Sequence, residues 1–171
     1  MKNVLKIVVV ASLVFVSGVS FGQKFGHINL EELVALMPEM KKATDDFNKE
    51  VAGMEEQYAV FQSEYQTKMT DFVNKRDSLT QLVRDSKEEE IRTLQQRIVA
   101  YQETAPQLLQ QKQVELMEPI YEKAQKAVQD VGKEKGLIYI FNVNDQLGGT
   151  VLFRSSESVD VLPLAKQKLG L

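Results

Sequence analysis

Residues 24–29 (KFGHIN) set Phe25 and Ile28 among smaller or polar neighbours, a pattern that predicts a short strand. Asn29 with Glu32 three positions later has the spacing of a capping box, so a helix is expected to open at Leu30. Pro38 should bend or restart that helix, because its ring removes a hydrogen bond and clashes with the preceding turn. Across residues 38–83, apolar side chains fall at Phe47, Val51, Met54, Tyr58, Phe61, Tyr65, Phe72, Leu79 and Leu82, in steps of three and four. Lys68 and Lys75 occupy the two missing positions of this heptad stripe, and such a stripe predicts a helix that buries one narrow seam against a partner helix. Arg84-Asp85-Ser86 breaks the pattern, and Ser86 with Glu89 again matches a capping box. A second helix is therefore expected from Ser86, with a seam at Ile91, Leu94, Ile98, Tyr101 and Ala105 that shifts near Pro106 and continues through Leu109, Leu116, Ile120, Ala124, Ala127 or Val128, and Val131. Pro106 and Pro119 should kink it, and Gly132 and Gly136 should stop it.

Two arms of roughly 45 residues, each about 70 Å long at 1.5 Å per residue, flank this capped corner and predict an antiparallel helical hairpin. One continuous rod would leave the cap at Ser86 without a purpose. Beyond Gly136 the apolar, β-branched and aromatic run Leu137-Ile138-Tyr139-Ile140-Phe141-Asn142-Val143, the turn-forming residues 144–149 and the short apolar run 150–154 read as a β-hairpin. Val159, Leu162, Ala165 and Leu169 then follow helical spacing, so a terminal helix over residues 158–171 is expected to pack on the strands. The fold class is α+β and mostly α. Its expected domains are an arm over residues 38–136 and a β-containing body from residues 23–37 and 137–171. Such a body is too small to be stable alone and has exposed strand edges, so it should associate with other copies in a closed ring through Phe25, Ile28, Ile138, Ile140, Val151 and Phe153.

Residues 1–22 differ in character from the rest. Lys2 and Lys6 precede a run of roughly ten apolar residues, 7–16, and Ser20-Phe21-Gly22 presents small residues for cleavage, which is the layout of a secretory signal peptide. A retained anchor would need about 20 consecutive apolar residues. There is no cysteine, which excludes disulfides, thiolate metal sites and a lipidated cysteine. Removing Lys2 and Lys6 takes the basic count from 21 to 19 against 24 acidic residues, a formal charge of −5 that argues against nucleic acid as a partner.

Catalysis is not expected, since the chain has one histidine, no cysteine and no glycine-rich phosphate loop. No cofactor or metal is expected either. His27 reads as a structural residue of the first strand, because one imidazole lacks the companion ligands of a metal site. Glu88, Glu89 and Glu90 read as solvated charge at a helix start, and Gly148-Gly149 as a turn. Phe47, Tyr58, Phe61, Tyr65 and Phe72 read as hairpin interior. The candidates for contact with another chain are the apolar residues off the seam, Met69, Val73 and Val99.

The order of parts resembles the Skp/OmpH family of periplasmic chaperones. It comprises a signal peptide, KFGHIN, a short helix before Pro38, a long hairpin, Pro119-Ile120-Tyr121-Glu122-Lys123-Ala124, LIYIF and a terminal Val159-Asp160-Val161-Leu162 segment. The resemblance covers essentially all of the expected mature chain. It implies a jellyfish-shaped homotrimer, with a β-rich body and projecting arms, that holds unfolded outer-membrane proteins in the periplasm without ATP. Family members tend to be strongly basic. This chain departs from that, with six basic and five acidic residues over 75–97, so contact with lipopolysaccharide or a membrane surface stays open. The alternative function is a structural coiled-coil adaptor or spacer of the cell envelope that binds one folded partner.

Overall fold

The computed structural model describes residues 23–144 and 151–171. The expected signal peptide, and all of the expected turn after Asn144, lie outside the described residues. The elements in chain order are β1 (Phe25–Ile28), α1 (Leu30–Leu36), α2 (Pro38–Lys75), a 3-10 turn (Arg76–Ser78), α3 (Gln81–Lys135), β2 (Tyr139–Asn142), β3 (Val159–Asp160) and α4 (Leu162–Leu169). The fold is thus α+β and mostly helical. It divides into two compact units, one made of the described residues up to Leu30 with Lys126–Gly170, the other of Glu31–Gln125.

In the second unit, Pro38 restarts the helix as expected. Met37 before it is extended (φ −73°, ψ 132°), and Pro38 takes the first turn of α2, where its missing N–H costs nothing. α2 and α3 then pack as an antiparallel hairpin. Tyr101 Oη donates to the Met54 carbonyl at 3.1 Å, Gln102 Nε2 donates to Tyr58 Oη, and Lys68 and Lys123 reach Glu90 and Glu39. These pairs are all centred between residues 77 and 81, which fixes both the direction and the register of the two helices. The seam residues of both helices are buried or half-buried, apart from Lys75 and Leu82.

The corner differs from the expected one. It lies at the 3-10 turn with Leu79-Thr80, not at Asp85-Ser86. Ser78 Oγ donates to the Lys75 carbonyl at 2.7 Å, Leu79 is extended, and the Thr80 carbonyl accepts the Arg84 N–H at 3.0 Å, so α3 begins at Gln81. Ser86 stands inside α3, where a capping-box spacing has no orphan N–H to serve. The helices are consequently unequal, 38 residues for α2 and 55 for α3, or about 57 and 83 Å at 1.5 Å per residue. α3 continues through Pro106 and Pro119 without interruption.

In the first unit, three strands form a sheet in the order β2-β1-β3, with both neighbours parallel to β1. This corrects the expected β-hairpin: residues 137–143 do supply a strand, but its partner is β1, in the register Phe25↔Tyr139 and Ile28↔Asn142. Residues 151–154 form no strand, and the third strand is Val159–Asp160, whose residues were expected to lie in the terminal helix. That helix starts only at Leu162. Asp160 Oδ1 accepts the Leu162 N–H at 3.0 Å, and Pro163 lies in the first turn.

The residues that alternate inward on the sheet are Gly26, Ile28, Ile140 and Val159, and this face is the covered one. A Cβ on Gly26 would stand 2.8 Å from Leu137 Cδ1 and 2.9 Å from Val161 Cγ2, so glycine here permits close packing. A Cβ on Gly132 would likewise meet Ile140 Cδ1 at 3.0 Å, which places the end of α3 against β2. Ala127, Val131, Val161 and Ala165 complete this core. α3 ends in a left-handed cap: Gly136 has φ +62°, its N–H reaches the Lys133 carbonyl, and the Leu137 N–H reaches Gly132 at 2.9 Å.

Candidate functional site

Of the aromatic seam of the hairpin, Phe72 is buried and Phe47, Tyr58, Phe61 and Tyr65 are half-buried. The Phe61 and Tyr101 rings meet edge-to-face at 5.4 Å and 86°, and the Arg97 guanidinium lies 5.6 Å from the centre of the Phe61 ring. Lys68, at a seam position, crosses to Glu90, whereas Lys75 pairs with Asp71 on its own helix. The hydrogen bonds from Lys68 and Lys87 hold the Glu90 carboxyl below its ordinary pKa, and the bond to Glu90 raises that of Lys68. The Phe61–Tyr101 contact and the Lys68–Glu90 pair join the two helices to each other.

The outer faces of the hairpin carry the three residues expected to contact another chain. Met69, Val73 and Val99 are 40%, 61% and 48% exposed. Met69 and Val73 belong to the row Gln62, Gln66, Met69, Val73, which shares one face of α2 at steps of four and three. Gln62 and Gln66 also line a hollow of about 360 Å³ with Tyr65, Gln95, Ile98 and Val99. The three residues therefore share one flank of the hairpin. The glutamines around them were not anticipated, because amides on a helix surface carry no periodic signal. Val60, Leu82, Val83, Leu108 and Val114 are exposed as well. Leu82 was expected in the seam, and the earlier corner leaves it outside.

A second exposed apolar surface lies in the sheet unit. Phe25 and His27 on β1 share a face with Tyr139 and Phe141 on β2. Phe25 stacks on Tyr139 at 6.3 Å and 8°, and Phe141 lies 6.1 to 6.2 Å from both. All three rings are exposed, as are Leu152 (98%) and Phe153 (83%). Together with His27 and the segment up to Ser158, Phe25, Phe141, Val151, Leu152 and Phe153 line a cavity of about 770 Å³. Among the residues expected to form an association surface, Phe25, Ile138 and Phe153 are exposed and Val151 is half-buried. Ile28 is buried and Ile140 half-buried on the opposite face, within the unit's own core. Tyr139, Phe141 and Leu152 went unnoticed, although the alternation in Tyr139-Ile140-Phe141 places the two rings together.

His27 is buried, and its Nδ1 shares a hydrogen bond of 2.9 Å with Ser158 Oγ. This bond ties β1 to the segment leading into β3. Among the described residues, no group of three or more His, Cys, Asp or Glu is arranged to hold a metal ion. No helix among them is long and apolar enough to cross a membrane.

No curated protein matches this chain. A family described as outer membrane protein (OmpH-like) matches it over residues 24–169, from the strand that carries the aromatic face to the last residue of the terminal helix. With nearly the whole described chain inside that match, and with both a long helical hairpin and a small sheet among its elements, this protein belongs to the OmpH-like family.

Proposed function

We propose that this chain is an ATP-independent periplasmic holding chaperone that binds unfolded outer-membrane proteins and prevents their aggregation. The observation that carries this reading is the exposed apolar row on one flank of the hairpin, Met69 and Val73 beside Val99, in a member of the OmpH-like family. Holding an unfolded chain requires many weak contacts at high effective concentration, and a long exposed flank supplies them without a closed pocket. In this reading residues 1–22 are the cleaved export signal. Residues 23–37 with 137–171 form the body, and residues 38–136 form the arm.

The reading includes a homo-oligomer, a trimer by resemblance to the family. The clustered Phe25, Tyr139 and Phe141 rings and the exposed Leu152 and Phe153 support self-association, because such an apolar patch is costly in water.

The test dilutes an unfolded outer-membrane β-barrel protein from denaturant into buffer containing the mature chain and no nucleotide, and follows turbidity. Suppression of aggregation is expected, with a solution mass above that of one chain. Indifference to the unfolded barrel, combined with retention of a single folded envelope protein in a pull-down, would make the protein an adaptor instead.

A further inference from the structure

We infer that the glutamine-lined hollow on this flank of the hairpin is a charge-free groove that accepts an extended, uncharged segment of alternating apolar and polar residues. This rests on the holding function proposed above and names the part of the client that this surface takes. The hollow of about 360 Å³ is lined by Gln62, Tyr65, Gln66, Gln95, Ile98 and Val99, and not one of these carries a charge. That is unusual for a chain in which 26% of residues are charged. A neighbouring hollow of about 310 Å³ shares Gln95 and Val99, and only its Glu103 is ionised.

The side chains of Gln66, Gln95 and Gln96 make no hydrogen bond among the described residues, so each keeps an N–H₂ donor and a carbonyl acceptor facing outward. A glutamine amide presents the same donor and acceptor pair as a peptide group. It can therefore satisfy an extended backbone whose N–H and C=O groups are still unpaired. Val99 within the hollow, and Met69 and Val73 further along the row, take the apolar side chains of such a strand. A charged side chain entering the 360 Å³ hollow would lose water and find no counter-charge in its lining, so charge-free segments are selected there. The strands of a membrane β-barrel alternate apolar and polar residues, and before pairing they present this chemistry.

The test uses the full mature chain and short fluorescein-labelled peptides that alternate valine or tyrosine with serine or glutamine, read by fluorescence anisotropy. Analogues carry lysine or glutamate at the polar positions. The uncharged peptide should bind, and both charged analogues should bind about tenfold more weakly, a difference of roughly 1.4 kcal/mol. Val99→Glu and Gln66→Glu should each weaken the uncharged peptide by a similar factor. Val60→Glu should not, because Val60 is exposed two residues before Gln62 and faces the other side of α2. Raising NaCl from about 0.1 M to about 1 M, which shortens the screening length from about 10 Å to about 3 Å, should leave binding intact. Circular dichroism of each variant confirms that the helices remain, and Val99→Thr removes apolar contact without adding charge.

Equal binding of the lysine analogue, loss of binding with salt, or the same loss in Val60→Glu as in Val99→Glu would overturn the inference. If the parent suppresses barrel aggregation and Val99→Glu and Gln66→Glu suppress it equally, the groove is wrong and the holding function stands. If the parent suppresses nothing, both fall.

Discussion

Gly26 is a residue whose requirement comes from its neighbours. With Leu137 and Val161 closer than 3 Å to any added Cβ, Gly26→Ala forces a shift in the covered face of the sheet. A loss of about 1 to 3 kcal/mol is expected, as for other overpacked cores, read from the urea midpoint. The Lys68–Glu90 pair tests the hairpin seam at the same scale. Glu90 titrates below its ordinary value of 4.5 in the folded state, so its contribution is present above that value and is lost as pH falls through the lower folded one. Lys68 titrates above 10.5, so its contribution persists below that value and is lost only as pH rises through the higher folded one. Glu90→Gln should therefore lower the urea midpoint at neutral pH. The difference from the parent should shrink below pH 4.5. A difference that grew with acid would contradict the pairing.

At the scale of elements, the corner is decided by where backbone N–H groups lack partners. Ser86 lies five residues past the start of α3, so Ser86→Pro removes an intrahelical hydrogen bond and should cost about 3 kcal/mol in thermal unfolding. A corner at Asp85-Ser86 would instead put proline at the opening of a helix, where it is tolerated. An unchanged melting temperature would restore that corner. The heptad seam was legible because its period is local: Ile91, Leu94 and Ile120 are buried as their spacing requires. The corner was not legible, because Ser86 and Glu89 form an equally good local motif inside a helix as at its start. The strand at Val159–Asp160 was hidden for a related reason: Val159 falls in phase with Leu162, Ala165 and Leu169, although Pro163 fits only the first turn of a helix.

For the whole molecule, the proposed association depends on the aromatic face of the sheet. Phe141→Ser removes one of three neighbouring rings while leaving the covered face, with Ile28, Ile140 and Val161, untouched. The variant should therefore stay folded and shift toward monomer in sedimentation velocity at low micromolar concentration. A parent that sediments as a single chain would remove the basis for a ring of copies. The flank that carries Met69, Val73 and Val99 was partly readable. Apolar residues off a seam stand out in sequence, whereas the glutamines that join them from the other helix become neighbours only once the register is set.

What the chain determined without reference to its fold is everything governed by short-range period. The two long helices, their buried seam, the restart at Pro38, the stop at Gly136 and the strand character of residues 25–28 and 139–142 all follow from neighbours a few residues apart. The partner of each strand was a matter for tertiary structure alone. β1 lies more than 100 residues from β2 and β3 in sequence, and any of the apolar runs could have paired with any other. Parallel pairing prevailed where Gly26 allows Leu137 and Val161 to close over one face of the sheet. That choice turned Phe25, Tyr139 and Phe141 together onto the other face, because side chains at matched positions of neighbouring strands point the same way.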